Sequence, residues 1–295
     1  MKRAVFTGLC TALVTPFRGN GVNYDMLEDL IERQIRAGAD AIVLAGTTGE
    51  SPTLSDEEKL EIFRIGVRTA ARRTKIIAGT GSNSTAKAAA MTVKAAELGV
   101  DAILAVTPYY NKSTQPGLVQ YYTAVAEASK LPVIAYNVPS RTGVDIRADT
   151  CRRLAEIPGI AGIKEAAGDI SKVAHIIPHL TVYSGNDDQT VAIMALGGAG
   201  VISVASNVAP ETMKELTDAC RAGEYPKAAA IQQKLLPLMD LLFCQVNPIP
   251  VKAAMHLLGF DCGPCRPPLD DLPEPDVQKL RECLDELGIS SYNIS

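Results

Sequence analysis

The sequence has no tryptophan, five phenylalanines and only three histidines among 295 residues. So few imidazoles argue against a histidine-rich metal centre, and no metal site is expected. No run of about 18 apolar residues occurs, so nothing reads as a membrane-spanning helix. Charge of one sign is missing too. Lys and Arg total 29 against 33 Asp and Glu, a net −4, and the basic residues form no cluster. Nucleic acid is therefore not expected as a partner. No phosphate-binding loop is present: Gly79-x-Gly81 does not extend to a GxGxxG fingerprint, and there is no Walker sequence. A nucleotide cofactor is not expected. The seven cysteines are odd in number and mostly scattered. In a chain with this much core they read as buried thiols of a reducing compartment rather than a disulfide framework.

What remains is an ordinary globular composition, 47% apolar and 21% charged, which excludes disorder. A chain of this length divides into two average domains, but parallel barrels of about 250 residues count as one. Met1, Lys2 and Arg3 before the apolar stretch 4–17 resemble a secretory signal at first sight. Thr7, Gly8, Thr11 and Thr15 interrupt that stretch, however, and no small-x-small site closes it. It reads instead as a first β-strand, and the protein is expected in the cytoplasm.

Short apolar runs recur at 9–14, 41–45, 75–78, 102–106, 133–135, 160–163, 181–183 and 201–204. They are almost continuously apolar, as strands buried on both faces should be, which predicts a parallel sheet. Amphipathic stretches lie between them. In 25–37, Leu27, Leu30, Ile31 and Ile35 line one face. Ser55 followed by Asp56, Glu57 and Glu58 is a helix start, a capping hydroxyl with acidic residues in the first turn, and Ser84 and Ser171 read similarly. Eight such alternations without a break in composition fit a closed barrel better than an open sheet. After the eighth strand only helical patterns follow, at 209–221, 226–244, 251–258 and 275–287. The expected division is a barrel over 1–224 and a helical appendage over 225–295.

In such a barrel the strand ends and following loops form the active face. Hydroxyls, tyrosines, one arginine and one lysine fall there: Thr47, Thr48, Tyr110, Tyr136, Arg141 and Lys164. This set can bind a carboxylate and move protons without a cofactor. Lys164 ends an apolar strand, where burying an ammonium is costly. Desolvation would lower its pKa and leave some neutral amine able to attack a carbonyl. The alternative is a lysine reaching solvent, paired with Glu165. Tyr110 and Tyr136 offer phenols that donate and accept, and Thr47 could bridge them; equally, both tyrosines could be core residues. Arg141 offers a planar fork for a carboxylate or is a solvated surface residue. Other signals are weaker. Cys262-Gly-Pro-Cys265 has thioredoxin spacing but is followed by Arg266-Pro267-Pro268 instead of a helix, and no second ligand pair supports zinc. His175 and His179 stand four apart with Pro178 between them and read as surface residues. All three histidines fall in predicted helices, which argues against a Ser-His-Asp triad.

Taken together, GTTGE (46–50), TPYYN (107–111), YNVPSRTG (136–143), GIKEA (162–166) and NPIPVK (247–252) resemble the dihydrodipicolinate synthase family of pyruvate-dependent class I aldolases. The likeness runs from ALVTPF (12–17) to the helical tail. GTTGE and GIKEA belong to the whole superfamily, including N-acetylneuraminate lyase, whereas PYYN and VPSRTG are narrower. The resemblance implies a (β/α)8 TIM barrel with a C-terminal helical appendage, a cofactor-free lyase of lysine biosynthesis that condenses pyruvate with L-aspartate 4-semialdehyde. It implies an imine between Lys164 and pyruvate and proton transfer by Tyr136. Thr47 and Tyr110 complete the relay, Tyr110 from across a dimer interface. Thr48 and the backbone at Ile202 hold the pyruvate carboxylate, and Arg141 binds the semialdehyde or product carboxylate. A homotetramer is implied. Lysine-inhibited members carry His and Glu where this chain has Lys59 and Lys87, beside matching Ser51, Asn83 and Tyr109. Lysine feedback is therefore expected to be weak or absent. Two rivals stand: a related aldolase acting on a sugar acid, which would tolerate loss of Arg141, and a barrel that binds a keto acid without turnover.

Overall fold

The computed structural model describes residues 4–289. Eight parallel strands close into a barrel: β1 (Gly8–Ala12), β4 (Ala41–Leu44), β5 (Lys75–Gly79), β6 (Ala102–Val106), β7 (Val133–Asn137), β8 (Ile160–Glu165), β9 (Thr181–Ser184) and β10 (Gly200–Ser203). Each pairs with its sequence neighbours, and β1 pairs with both β4 and β10 to close the ring. A short antiparallel hairpin, β2 (Phe17–Arg18) and β3 (Gly21–Val22), follows β1. The continuous apolar runs thus became strands buried on both faces. The stretch taken above for a strand and not a signal contributes β1, while Lys2 and Arg3 lie outside the described residues.

Alternation along the strands sorts side chains into two cores. The inner one fills the barrel with Cys10, Ala12, Val43, Ile77, Leu104, Ile134, Tyr136, Tyr183 and Ile202. The outer one lies between strands and helices. At the inner core's edge Phe6 stacks on Tyr183 at 4.3 Å between ring centroids. The Tyr183 hydroxyl donates to the Phe6 carbonyl at 3.1 Å and accepts from the Val5 amide at 3.0 Å. Burial pushes this phenol up to about 12.

The surrounding helices are α1 (Tyr24–Arg36), α2 (Asp56–Ala70), α3 (Thr85–Glu97), α4 (Gln115–Ser129), a four-residue α5 (Pro139–Thr142), α6 (Ala148–Glu156), α7 (Ile170–Ile176), α8 (Thr190–Ala195) and α9 (Pro210–Arg221). Ser55 caps α2 in a capping box with Glu58, and Ser84 caps α3. For α7 the cap is not Ser171 but Asp169, whose Oδ1 accepts from the Lys172 amide at 2.9 Å. Ser171 sits one residue inside the helix, because the carboxylate two residues earlier captures the free amide first. α9 packs on β1 and so belongs to the barrel's helical ring rather than to the tail. The tail helices α10 (Tyr225–Leu241), α11 (Ile249–Leu257) and α12 (Glu274–Leu287) follow. α10 packs on α9, and α12 packs on α10 and α11. Among the described residues no helix is long and apolar enough to cross a membrane.

Candidate active site at the carboxyl end of the barrel

Lys164 lies on β8 in register with Tyr136 of β7 and Tyr183 of β9, both inner-core residues. The same parity turns its side chain into the barrel. It is 5% exposed, and its Nζ stands 4.4 Å from the centroid of the Tyr136 ring. One residue further, Glu165 faces outward and takes other partners. Its carboxylate accepts from Asn137 Nδ2 at 3.0 Å and the Ala167 amide at 2.7 Å, and pairs with Lys172 at 3.2 Å. The alternative of a solvent-reaching Lys164 paired with Glu165 is therefore overturned. Burial raises the Glu165 carboxyl, and Lys172 opposes that rise.

Two residues below Lys164, Gly162 makes room. A Cβ there would stand 2.8 Å from the Thr181 carbonyl and 3.2 Å from the Tyr183 ring. Any side chain would force β8 and β9 apart beneath the lysine.

A cavity of about 520 Å³ opens at the barrel mouth, lined by Thr47, Arg141 and the same Tyr136 whose ring Lys164 approaches. Thr48 is buried beside it and accepts a hydrogen bond from Asn247 Nδ2 at 3.0 Å. Arg141 is exposed on α5, and its Nη2 donates to the Asn247 carbonyl at 3.1 Å. Ile202 is fully buried on β10, opposite Cys10 of β1. Tyr110 is not brought to this group within one chain. It is 92% exposed with φ +69°, a left-handed conformation that a bulky residue rarely adopts.

Several residues that position the site were not singled out from the sequence. Asn247 ties together Thr48 and Arg141, 199 and 106 residues away in the chain. Its only sequence signal was its place in NPIPVK. Asp187 is buried within reach of the Lys164 charge, and its Oδ2 accepts from the Val204 and Ala205 amides at 2.9 Å each. Burial raises this carboxyl, while Ser203, those amides and the Lys164 charge pull it back. Among the described residues its Oδ1 has no hydrogen-bond partner. Glu50, the last residue of GTTGE, is buried with φ +55° and pairs with Lys252 of α11 at 2.7 Å. Its Oε2 also accepts from the Arg266 amide at 2.8 Å.

Cys262 and Cys265 lie in the loop between α11 and α12, and burial pushes both thiols up to about 12. A redox pair needs the opposite shift. His175 and His179 are exposed; His179 lies beyond the end of α7 and not within a helix as expected. Five of the seven cysteines are buried, Cys265 is half-buried, and Cys244 departs from the expectation by being exposed.

Residues 5–287 match the sequence profile of the dihydrodipicolinate synthetase family. The chain belongs to this family. A 4-hydroxy-tetrahydrodipicolinate synthase of Acetivibrio thermocellus is 48% identical over 293 residues, covering 98% of this chain and all of that protein. Among solved structures, the chloride-inhibited dihydrodipicolinate synthase of Acinetobacter baumannii complexed with pyruvate is 46% identical with a TM-score of 0.94, covering 96% of this chain and 99% of that one. The Cyanidioschyzon merolae enzyme with lysine bound is 40% identical with a TM-score of 0.94, covering 97% and 99% of the two chains.

Proposed function

We propose that this member of the family condenses pyruvate with L-aspartate 4-semialdehyde to give 4-hydroxy-tetrahydrodipicolinate in lysine and diaminopimelate biosynthesis, as a lyase working through an imine at Lys164. The observation that carries the reading is a lysine buried within the barrel mouth, beside the Tyr136 ring, with no salt bridge among the described residues. Its amine attacks C2 of pyruvate and water leaves. The protonated imine withdraws electrons, so C3 gives up a proton and the resulting enamine attacks the aldehyde carbon. The amino group of the bound semialdehyde then closes the ring and displaces Lys164.

The neighbours divide the remaining work. Tyr136 carries protons to and from the imine and enamine, relayed through Thr47 and through Tyr110 of a second copy. Thr48 and the backbone at Ile202 hold the pyruvate carboxylate, and Arg141 holds that of the semialdehyde. The exposed Tyr110 fits delivery to another protomer, and we read the working assembly as a homotetramer in the cytoplasm. Barrel 1–224 and appendage 225–295 act as one unit, since tail residues such as Leu235 and Met255 share the outer core with Met213.

Borohydride reduction in the presence of pyruvate tests this directly. The expected result is an irreversible mass gain on the peptide containing Lys164, absent from Lys164→Ala. An unlabelled Lys164 in an enzyme that turns over would overturn the reading.

A further inference from the structure

On the outer face of the barrel, Asn137, Glu165 and Lys172 form a buried polar cluster that has no role in the chemistry above. β7 ends in Tyr136-Asn137 and β8 in Lys164-Glu165, with Tyr136 opposite Lys164 and Asn137 opposite Glu165. Alternation sends the first pair into the barrel and the second outward. Lower down, Val133 pairs with Ile160 but Ile134 with Gly162, so Ala161 is an extra residue in β8. Beyond this bulge the register has to be set locally. A slip of one residue would turn Lys164 outward and Glu165 inward.

Side chains of the outer face bridge the two strand ends. Asn137 Nδ2 donates to both carboxylate oxygens of Glu165 at 3.0 Å each, and to Asp145 Oδ1 at 2.7 Å. Asn137 Oδ1 accepts from the Ile146 amide at 2.9 Å. Lys172 of α7 places its Nζ 3.2 Å from Glu165 Oε2 and 2.7 Å from Asp145 Oδ1. Asn137 and Glu165 are almost fully buried, whereas Asp145 is exposed. Burial works against the Lys172 ammonium, but the Glu165 and Asp145 charges hold it above the ordinary lysine range. Tyr122 of α4 and Cys151 of α6 also lie within reach of the Glu165 charge; burial raises both, so they stay neutral.

A buried network whose members satisfy one another rigidifies the elements it joins. We propose that Asn137, Glu165 and Lys172 are positioning residues, an ionic clasp that keeps the Tyr136 phenol aligned with the imine nitrogen of Lys164. The clasp touches neither substrate nor imine and acts only through the residues next to it in β7 and β8. It rests on the imine reading of Lys164 and adds the residues that set its geometry. Misplacement by about 1 Å, caused from outside the reacting groups, can cost on the order of a hundredfold in rate.

Exchange of the pyruvate methyl hydrogens in heavy water, followed by proton NMR without the semialdehyde, reads this alignment. In the imine a C3–H bond breaks, its electron pair forms the C2–C3 enamine bond, and the proton leaves through Tyr136. A deuteron returns to C3 by the same route. Rates are divided by the amount of Lys164 that borohydride labels, so unfolded protein does not count. Lys172→Met is expected to slow exchange per labelled site at least about tenfold, and Lys172→Arg to restore it to within about threefold of the parent. Glu165→Gln/Lys172→Met removes both buried charges, so it should fold with a thermal midpoint near the parent's and still exchange slowly. Exchange at the parent's rate in Lys172→Met or in the double variant would overturn the proposal, as would an arginine variant as slow as the methionine one. A parent that neither labels nor exchanges would overturn the imine reading itself, and the clasp with it.

Discussion

Lys164 and Asn247 show how individual side chains divide between chemistry and support. On the function proposed above, removing the Lys164 amine removes the covalent step itself, so Lys164→Ala is expected to lower kcat at least about a thousandfold while leaving the fold intact. Steady-state kinetics with circular dichroism checks both halves of that statement. Asn247 acts through others. Its side-chain amide donates to Thr48 Oγ1, but Arg141 is held by its main-chain carbonyl. Asn247→Ala therefore cuts one bond and keeps the other. At about 1 kcal/mol for a hydrogen bond, KM for pyruvate should rise roughly fivefold. KM for the semialdehyde should stay within error; an equal rise in both would refute the division.

At the scale of elements, the helical tail is tied to the barrel mouth by charge. Lys252 on α11 meets Glu50 at the end of the β4 loop, and its Nζ also donates to the Pro264 carbonyl at 3.1 Å and lies 4.2 Å from the Phe17 ring centroid. Both partners are almost fully buried. Lys252→Met would leave the Glu50 carboxylate without its counter-ion, at a cost of about 3–5 kcal/mol in urea unfolding. Glu50→Gln/Lys252→Met should recover most of that loss. Arg266 makes a second tie, to Glu58 of α2, and lies 4.2 Å from the same Phe17 ring. The hydrogen bond from Arg266 holds the Glu58 carboxyl below its ordinary value of 4.5. A depressed carboxyl adds stability that is fully present above its unfolded value and is lost as pH falls through the folded one. Thermal midpoints should therefore drop less steeply below pH 4.5 in Glu58→Gln than in the parent. Parallel acid limbs would show that this pair adds nothing.

For the whole molecule the decisive residue is Tyr110, exposed in one chain and strained in its backbone. If a second copy receives it, activity depends on assembly. Specific activity should fall on dilution together with the sedimenting mass. Tyr110→Phe should lower kcat roughly a hundredfold without changing that mass. An active, fully dissociated monomer would remove Tyr110 from the relay.

Periodicity and composition alone carried the barrel. Its strands are buried on both faces and so read as unbroken apolar runs, which leaves eight of them visible in order. The placement of the candidate residues at strand ends was legible for the same reason, since a polar residue closing such a run has nowhere to go but the rim. Local patterns failed where a distant partner decides the environment. Arg33 and Gln34 of α1 look like solvent-facing residues, yet both are buried, with Arg33 donating to the Val208 carbonyl and Gln34 to that of Ser206. Glu50, Lys252, Asn247 and Asp187 belong to the same class. Their meaning comes from contacts across tens to about two hundred residues, and no spacing rule reports which buried charge meets which. Lys94 is likewise an ordinary surface residue in sequence, and only the packing of α3 beside α2 sets it in one cavity with Lys59 and Lys87, the two positions that the resemblance had already marked.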